Sequence, residues 1–438
     1  MRILTVGGGG REHAAVEALY RSGAEIYSVM KNANPGIIRR AKAYMLVDER
    51  LVDDICGFAI EHEVSYAFIG PEGPLEIGLV DALEHIGVKC AAPTKDAARI
   101  ETSKSFMREL LSKYNIEGNI KYAVFKNADD AEAYIKAQPG EIVVKPIGLT
   151  GGKGVLVQGE HLNSHAETME YVHEVLGTAG LNGVIIEERL IGEEFTQMIF
   201  VDEKRIAPMP LVQDFKRAYE GDIGPNTGGM GSYSDANHLL PFISEEARDK
   251  ALDILRSIVE ALAEEGCPYC GPMYGQFMLT KDGPKIIEIN ARFGDPEAMN
   301  VLPLLENDFL AILKSITAGK LKEDIKFKEL ATVCKYVVPK GYGTLSESGH
   351  EIFIDEDGIH ECGAEVFYAN VNLIDDKLFT GTSRSIGVVG IGETIDEAEK
   401  NCEDALRFIE GEAICVRHDI GKRELIQKKI DRIKNLLS

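Results

Sequence analysis

The chain has 438 residues, 45% apolar and 27% charged. These are ordinary proportions for a globular protein, and the length allows two to four domains. Acidic residues outnumber basic ones, 71 to 48, for a formal charge of −23. Such a surface repels nucleic-acid phosphates and excludes nucleic acid as a partner, so a site for a phosphate-rich ligand has to be a local basic exception. No signal h-region and no run of about 18 apolar residues occurs, so the expectation is a cytoplasmic protein without a membrane segment.

In chain order, residues 3–6 read as a short apolar strand, followed by Gly7-Gly8-Gly9-Gly10 and a helix through Arg21. Residues 25–30 are a second strand, 53–63 a helix and 66–70 a third strand. Alternation of this kind predicts a parallel sheet covered on both faces, over residues 1–103. Residues 103–113 read as a helix. The apolar runs 141–145 and 155–158 are joined by a glycine loop at 146–154, and 184–188 is a further strand. Residues 195–235 are expected to be loop-rich. At their centre Gly221-Asp222-Ile223-Gly224-Pro225-Asn226-Thr227-Gly228-Gly229-Met230-Gly231 holds too many breakers for a packed element. Residues 244–266 form a helix. From about 325 a third unit is expected, with strands at 331–338, 365–370 and 385–390. A helix at 394–410 opens on the capping box Thr394/Glu397. The division read from this pattern is 1–103, 104–324 with a small subdomain at about 115–192, and 325–438.

Eight cysteines are scattered along the chain, and Cys267-Pro268-Tyr269-Cys270 has redox spacing. Here a helix precedes the pair and strand-like residues 276–279 follow, the reverse of the order that lowers a thiol pKa. No second pair supplies zinc ligands.

The glycine cluster after the first strand lets backbone N–H groups approach an anion at a helix start. The dinucleotide pattern G-x-G-x-x-G fails, because the third position after Gly7-x-Gly9 is Glu12 and the third after Gly8-x-Gly10 is His13. Lys31, not an acid, follows the second strand. A small phosphorylated ligand and a tight turn with no ligand both stay open.

Lys145-Pro146-Ile147-Gly148-Leu149-Thr150-Gly151-Gly152-Lys153-Gly154 is not a Walker A loop: Gly154 replaces Ser or Thr, and a strand follows. Its two lysines can still reach phosphates as point charges; a plain surface hairpin is the alternative. In Ile286-Ile287-Glu288-Ile289-Asn290-Ala291-Arg292, strand alternation puts Glu288, Asn290 and Arg292 on one face and Ile287, Ile289 and Ala291 toward the core. A carboxylate and an amide oxygen suit Mg²⁺, and Arg292 can meet charge on a transferring phosphoryl group. A solvent-facing edge strand is the alternative.

Glu288-x-Asn290, the Lys145…Lys153 loop and Glu187-Glu188-Arg189-Leu190-Ile191-Gly192-Glu193-Glu194 together resemble the ATP-grasp class. More narrowly, Gly8-Gly9-Gly10-Arg11-Glu12-His13-Ala14, Gly70-Pro71-Glu72-x-Pro74-Leu75, Ser103-Lys104-x-Phe106 and Gln213-Asp214-x-Lys216-Arg217 resemble the phosphoribosylamine–glycine ligase family. So do Gly224-Pro225-Asn226-Thr227-Gly228-Gly229-Met230-Gly231, Asn290-x-Arg292-Phe293-Gly294-Asp295-Pro296-Glu297 and Cys415-x-Arg417-x-Asp419-Ile420-Gly421. The resemblance spans the chain in order. It implies an α/β and α+β multidomain fold: an N-terminal parallel-sheet α/β substrate-binding domain, an ATP-grasp domain with a lid, and a C-terminal mixed β/α domain.

It also implies a reaction in purine biosynthesis: glycine, 5-phosphoribosylamine and ATP give glycinamide ribonucleotide, ADP and phosphate through glycyl phosphate. By the same resemblance Lys104, Lys145 and Lys153 contact ATP, Glu187 and the Leu190 backbone hold adenine, and Glu194 holds the ribose. Glu288 and Asn290 bind Mg²⁺ or Mn²⁺, with Gln276 as a third ligand. Asp214, Lys216, Arg292 and Asp295 surround the acyl phosphate. Gly9, Gly10, Glu72, Asn226, Gly228, Gly229, Met230 and Gly294 place the substrates. The expected partners are these small molecules, with the chain a monomer or weak dimer. Two departures stand out. The family loop commonly reads Lys-Ala-Asp-Gly where this chain has Lys145-Pro146-Ile147-Gly148, and Gln276 stands where many relatives carry a small residue. The rival readings are another ATP-grasp ligase or carboxylase of purine metabolism, a non-catalytic nucleotide-binding module, and a nicotinamide dehydrogenase.

Overall fold

Short apolar strands divided by amphipathic helices build the N-terminal part. In the computed structural model, which describes residues 1–149 and 154–438, five parallel strands lie in the order Ala41–Leu46, Glu25–Met30, Arg2–Val6, Tyr66–Ile69, Lys89–Cys90. Chain order reverses between Arg2–Val6 and Tyr66–Ile69. The crevice beyond the carboxyl ends of strands at such a reversal is where open α/β sheets place ligands. The Gly7 turn and the helix Gly10–Arg21 start at this point, and the Glu12 side chain caps that helix by accepting from the Gly9 N–H at 2.8 Å.

A second unit is a small antiparallel sheet in the order Tyr122–Phe125, Val184–Glu188, Ile142–Pro146, Leu156–Val157. The helices Ala128–Ala137 and His165–Gly177 cover it, and Ile135, Val144, Val172 and Ile186 form its own core. The expected strand–loop–strand hairpin is therefore present, while residues 150–153 of its loop, Lys153 among them, lie outside the described residues.

Beneath it lies the antiparallel sheet Ile206–Pro208, Glu193–Asp202, Cys270–Thr280, Gly283–Asn290. This corrects the loop-rich reading of residues 195–235. Glu193–Asp202 is a ten-residue strand, and nine of its residues are buried. Its sequence does not alternate because both faces are covered. The breaker-rich run also contains a strand, Ile223–Asn226, which forms a hairpin with Arg217–Tyr219. A β-bulge makes a second correction. Gln276 pairs with Glu288 and Phe277 with Ile286, so Ile287 is the extra residue. Parity slips there: Ile286 and Ile289 are buried, and Ile287 turns to the cleft instead of the core.

Gln213–Asp214 and Gly231–Ser234 join Ala331–Pro339, Ile386–Gly392 and Ala364–Tyr368 in one sheet, so strands from before and after residue 325 are hydrogen-bonded together. The helix Ile395–Leu406 packs on it, capped by Thr394 as its sequence predicts. Asn32 and Asn34 sew the N-terminal sheet to this part. Both donate to the Gly8 carbonyl, and they reach the carbonyls of Tyr368, Ala369 and Val371 as well. Cys267 and Cys270 are unpaired, and burial raises both thiols, Cys270 to about 12, the opposite of an activated redox pair. No helix among the described residues is long and apolar enough to cross a membrane.

Candidate active site

A cleft of about 1140 Å³ opens where these units meet. The small sheet Tyr122–Phe125, Val184–Glu188, Ile142–Pro146, Leu156–Val157, labelled the lid from here on, lines it together with the central sheet, the Arg217–Asn226 hairpin, the sheet switch and the C-terminal part. It gathers cations, Arg11, Lys104, Lys145, Arg189, Lys216, Arg217, Arg292, Arg384, Lys429 and Arg432, but slightly more carboxylates line it too, so the wall is a mosaic of paired charges and not the basic patch that the acidic surface led one to expect.

On the lid side, Glu187 is clamped between two cations. Arg108 Nε lies 2.7 Å from its Oε1 and Lys145 Nζ 2.6 Å from its Oε2. Burial by itself would raise this carboxyl, but Arg108 and Lys145 outweigh it and hold it at about 2. Arg108 also donates to the carbonyls of Ile286 and Ile287 and so ties the lid base to the bulge. Lys104 Nζ donates to the Gly148 carbonyl at 3.0 Å, and burial lowers its pKa. The Pro146-Ile147 departure is a buried packing element, with the Ile147 N–H donating to Gly183 and its carbonyl accepting from the Lys104 N–H.

On the floor, Lys216 Nζ lies 2.9 Å from Glu194 and 3.7 Å from Asp214. Burial would lower Lys216, yet Asp214 and Glu194 keep it firmly protonated. Burial raises Asp214, against the pull of Lys216. Glu288 and Asn290 are neighbours, the Asn290 amide donating to Glu288 at 3.2 Å, which leaves the amide oxygen of Asn290 free of that contact. Burial would raise Glu288, but Lys216, Lys145 and Lys104 lower it, so it is a carboxylate at neutral pH. One ionised carboxylate beside an amide oxygen fits a hard cation that completes its shell with water and phosphate. Gln276 is fully buried behind Tyr274. Its oxygen accepts from Tyr274 and Thr196, and its nitrogen donates to Glu194 at 2.8 Å.

At the far end, Arg292 pairs with Glu101 at 2.9 Å and lies 3.5 Å from Glu72, while its buried Nε makes no hydrogen bond among the described residues. Burial lifts Glu101 to about 7 although Arg292 opposes it. Asp295 is held from the C-terminal side: Tyr336 donates to Oδ1 and Arg384 lies 3.2 Å from Oδ2. Arg384 also donates to the Gly228 and Asp295 carbonyls, both at 2.6 Å.

The expected residues therefore divide. Lys104, Lys145, Glu187, Leu190, Glu194, Asp214, Lys216, Asn226, Gly228, Glu288, Asn290, Arg292, Gly294, Asp295 and Glu72 line the one cleft. Gly9, Gly10, Gly229, Met230 and Gln276 stand behind its wall. A Cβ on Gly10 would sit 2.5 Å from the Tyr336 hydroxyl, so this glycine permits close packing. Arg108, Glu101, Arg384 and Glu297 were not anticipated individually. Arg108 carries a signal, being a cation on the same helical stripe as Leu111. Glu297 is buried near Asp214, and burial followed by that neighbour's charge lifts it to about 7. Arg384 has no local signal, because only the tertiary fold brings it to Asp295.

A small antiparallel sheet over an antiparallel floor, with Lys145 and Lys104 on one side of the cleft and a carboxylate–amide pair on the other, defines an ATP-grasp enzyme. Family models agree along the chain: the phosphoribosylglycinamide synthetase N domain over residues 1–101, its ATP-grasp (A) domain over 102–298 and its C domain over 332–423. The chain belongs to the phosphoribosylamine–glycine ligase family. It is 48% identical over 440 residues to the phosphoribosylamine–glycine ligase of Methanobrevibacter smithii, covering 100% of each chain. It is also 48% identical to that of Pyrococcus furiosus, covering 100% of this chain and 98% of the relative. The crystal structure of the Thermotoga maritima phosphoribosylamine–glycine ligase superposes with a TM-score of 0.81 at 27% identity, covering 96% of this chain and 100% of that one. A Campylobacter jejuni biotin carboxylase shares the fold, at 14% identity and TM-score 0.76 over 99% and 98% of the two chains.

Proposed function

We propose that this cleft joins glycine to 5-phosphoribosylamine at the expense of ATP, giving glycinamide ribonucleotide, ADP and phosphate. The chain is an ATP-dependent carbon–nitrogen ligase of purine biosynthesis. A carboxylate does not react with an amine at neutral pH, because an oxide is a poor leaving group. Attack of the glycine carboxylate on the γ-phosphorus of ATP releases ADP and gives glycyl phosphate. The amine of phosphoribosylamine then attacks the carbonyl, and phosphate departs with the C–O pair. Such chemistry asks for positioning and charge neutralisation rather than a nucleophilic side chain.

In this reading Lys104, Lys145 and Lys153 meet the ATP phosphates, Glu187 and the Leu190 backbone meet adenine, and Glu194 meets the ribose hydroxyls. Lys216 and Arg292 oppose charge building on the transferring phosphoryl group. Asp214 and Asp295 orient the groups around them. Glu72, Asn226, Gly228 and Gly294 face the substrates, while Gly9, Gly10, Gly229 and Met230 shape the wall behind. Glu288 and Asn290 would hold Mg²⁺ or Mn²⁺, with Gln276 set behind them, its amide engaged by Tyr274, Thr196 and Glu194. When bound, such an ion draws charge off the phosphate oxygens. Residues of about 115–192 form the lid that keeps water from the acyl phosphate.

The observation that carries this reading is that Lys104, Lys145, Lys216 and the Glu288–Asn290–Arg292 run, distant from one another in sequence, meet in one cleft beneath the lid. The test follows phosphate release from ATP and magnesium with freshly made phosphoribosylamine, with and without glycine. Release that needs both partners is expected. Release indifferent to glycine would favour a different carboxylate substrate.

A further inference from the structure

Glu160 and Arg217 line the same cleft but have been given no role above, and they join the lid to the floor. Glu160 follows the lid strand Leu156–Val157. Its Oε1 accepts from Arg189 Nη2 at 2.6 Å, within the lid, and Arg189 is further fixed by Glu141 and the Gln158 carbonyl. Its Oε2 accepts from Arg217 Nη2, also at 2.6 Å, and Arg217 belongs to the floor hairpin. The Arg217 fork is completed by Nη1, which donates to the Gly224 carbonyl across the hairpin and meets His161 Nε2, both at 3.0 Å. A guanidinium cannot accept, so this contact needs a neutral ring with its lone pair on Nε2. The other ring nitrogen faces the Val157 N–H, and a neutral imidazole satisfies only one of the two. Glu160 is therefore the stronger hold on Arg217.

The hairpin itself is braced from behind. Arg417, 1% exposed, donates to the Arg217 carbonyl at 2.8 Å and to Asp222 at 3.1 Å. Lys429 of the C-terminal helix lies 3.4 Å from Asp222, and the Gly221 N–H donates to Asp419 at 2.8 Å. When the lid lifts, Glu160 keeps Arg189 and loses Arg217, because Arg189 moves with it and Arg217 is anchored to the C-terminal part.

We propose that the Glu160–Arg217 pair is a latch holding the lid on the floor hairpin while the water-sensitive intermediate exists, which makes both positioning residues. The proposal rests on the reaction given above only for its consequence, protection of an acyl phosphate. The latch itself is a property of lid and hairpin. If the lid lifts early, water attacks the acyl carbonyl, glycine is regenerated and phosphate is lost without product.

The test uses the full chain and four variants: Glu160→Gln, which keeps the side-chain shape, Arg217→Lys, Arg217→Ala, and the double Glu160→Gln/Arg217→Ala. Release of a fluorescent ADP in magnesium is timed by stopped flow, and phosphate is compared with glycinamide ribonucleotide in turnover. A partly exposed ion pair supports up to about a fivefold faster release in Glu160→Gln and Arg217→Ala, with Arg217→Lys between them and the parent. The double variant should fall short of the product of the two single effects, since both singles break the same Glu160–Arg217 contact and differ only in the others they lose. Added salt should speed release from the parent and leave Arg217→Ala nearly unchanged. Phosphate per product should rise above one in Glu160→Gln and in Arg217→Ala. Unchanged ADP release, or additive effects in the double, would overturn the latch. A parent chain that needs no glycine would instead sink the assigned reaction, and the ADP measurement would still judge the latch.

Discussion

Replacing Glu187 with Gln isolates the buried charge at the base of the lid. The carboxylate is 2% exposed between Arg108, which has no exposure, and Lys145. The amide keeps the shape and one acceptor but leaves two cations facing each other. Two routes give the magnitude. The carboxyl is held at about 2 against an ordinary 4.5, and a shift of that size corresponds to about 3 kcal/mol. Independently, breaking one side of a buried ion pair costs about 3–5 kcal/mol. The folded pKa is depressed, so the contribution is present above pH 4.5 and is lost as pH falls from there toward 2. The chain has no tryptophan, so urea unfolding is followed by far-UV circular dichroism. At pH 7 the variant should be about 3–4 kcal/mol less stable than the parent, and the gap should close as the pH is lowered. A variant within about 1 kcal/mol of the parent at pH 7, or one keeping the parent's acid sensitivity, would refute the argument.

Other outcomes follow from the same geometry. Glu288→Ala should nearly abolish glycine-dependent phosphate release at saturating magnesium while the circular dichroism spectrum is retained; near-normal turnover would remove this residue from the metal site. A Cβ at Gly192 would lie 1.9 Å from the Leu279 carbonyl. Gly192→Ala, at the lid exit, should therefore cost about 1–3 kcal/mol in urea unfolding, as overpacking does. Glu101 has a raised folded pKa of about 7. The native state there binds a proton that the unfolded chain has released, so stability should decline as pH rises from 4.5 to 7, by about 3 kcal/mol for this group. Glu101→Gln should flatten that part of the profile, and an unchanged slope would count against the burial argument.

Much of the N-terminal sheet is legible in the sequence because its strands are short, apolar and punctuated by glycine, which are local properties. The strand at 184–188 also stands out, and the helix expected at 394–410 forms over Ile395–Leu406, while Ile409–Glu410 instead pairs as a short strand with Phe353 and Ile354. Glu193–Asp202 does not, because a strand covered on both faces has no period to read. Strand alternation correctly puts Glu288 and Asn290 together, and it fails at Ile287 because a bulge shifts parity by one residue and is set by the partner strand.

The sequence by itself determined the kinds of group available and their local grouping: lysines flanking a glycine loop, and a carboxylate two positions from an amide. Spacing along one strand or one loop is enough for that. Only the tertiary structure decided that Arg108 clamps Glu187, that Tyr336 and Arg384 hold Asp295, and that Gln276 is sealed behind Tyr274. Each of these joins elements whose approach depends on how separate sheets pack. Their strength comes from charge attraction and hydrogen bonding made stronger by a low-dielectric surrounding, which a residue acquires only when the rest of the chain has closed around it.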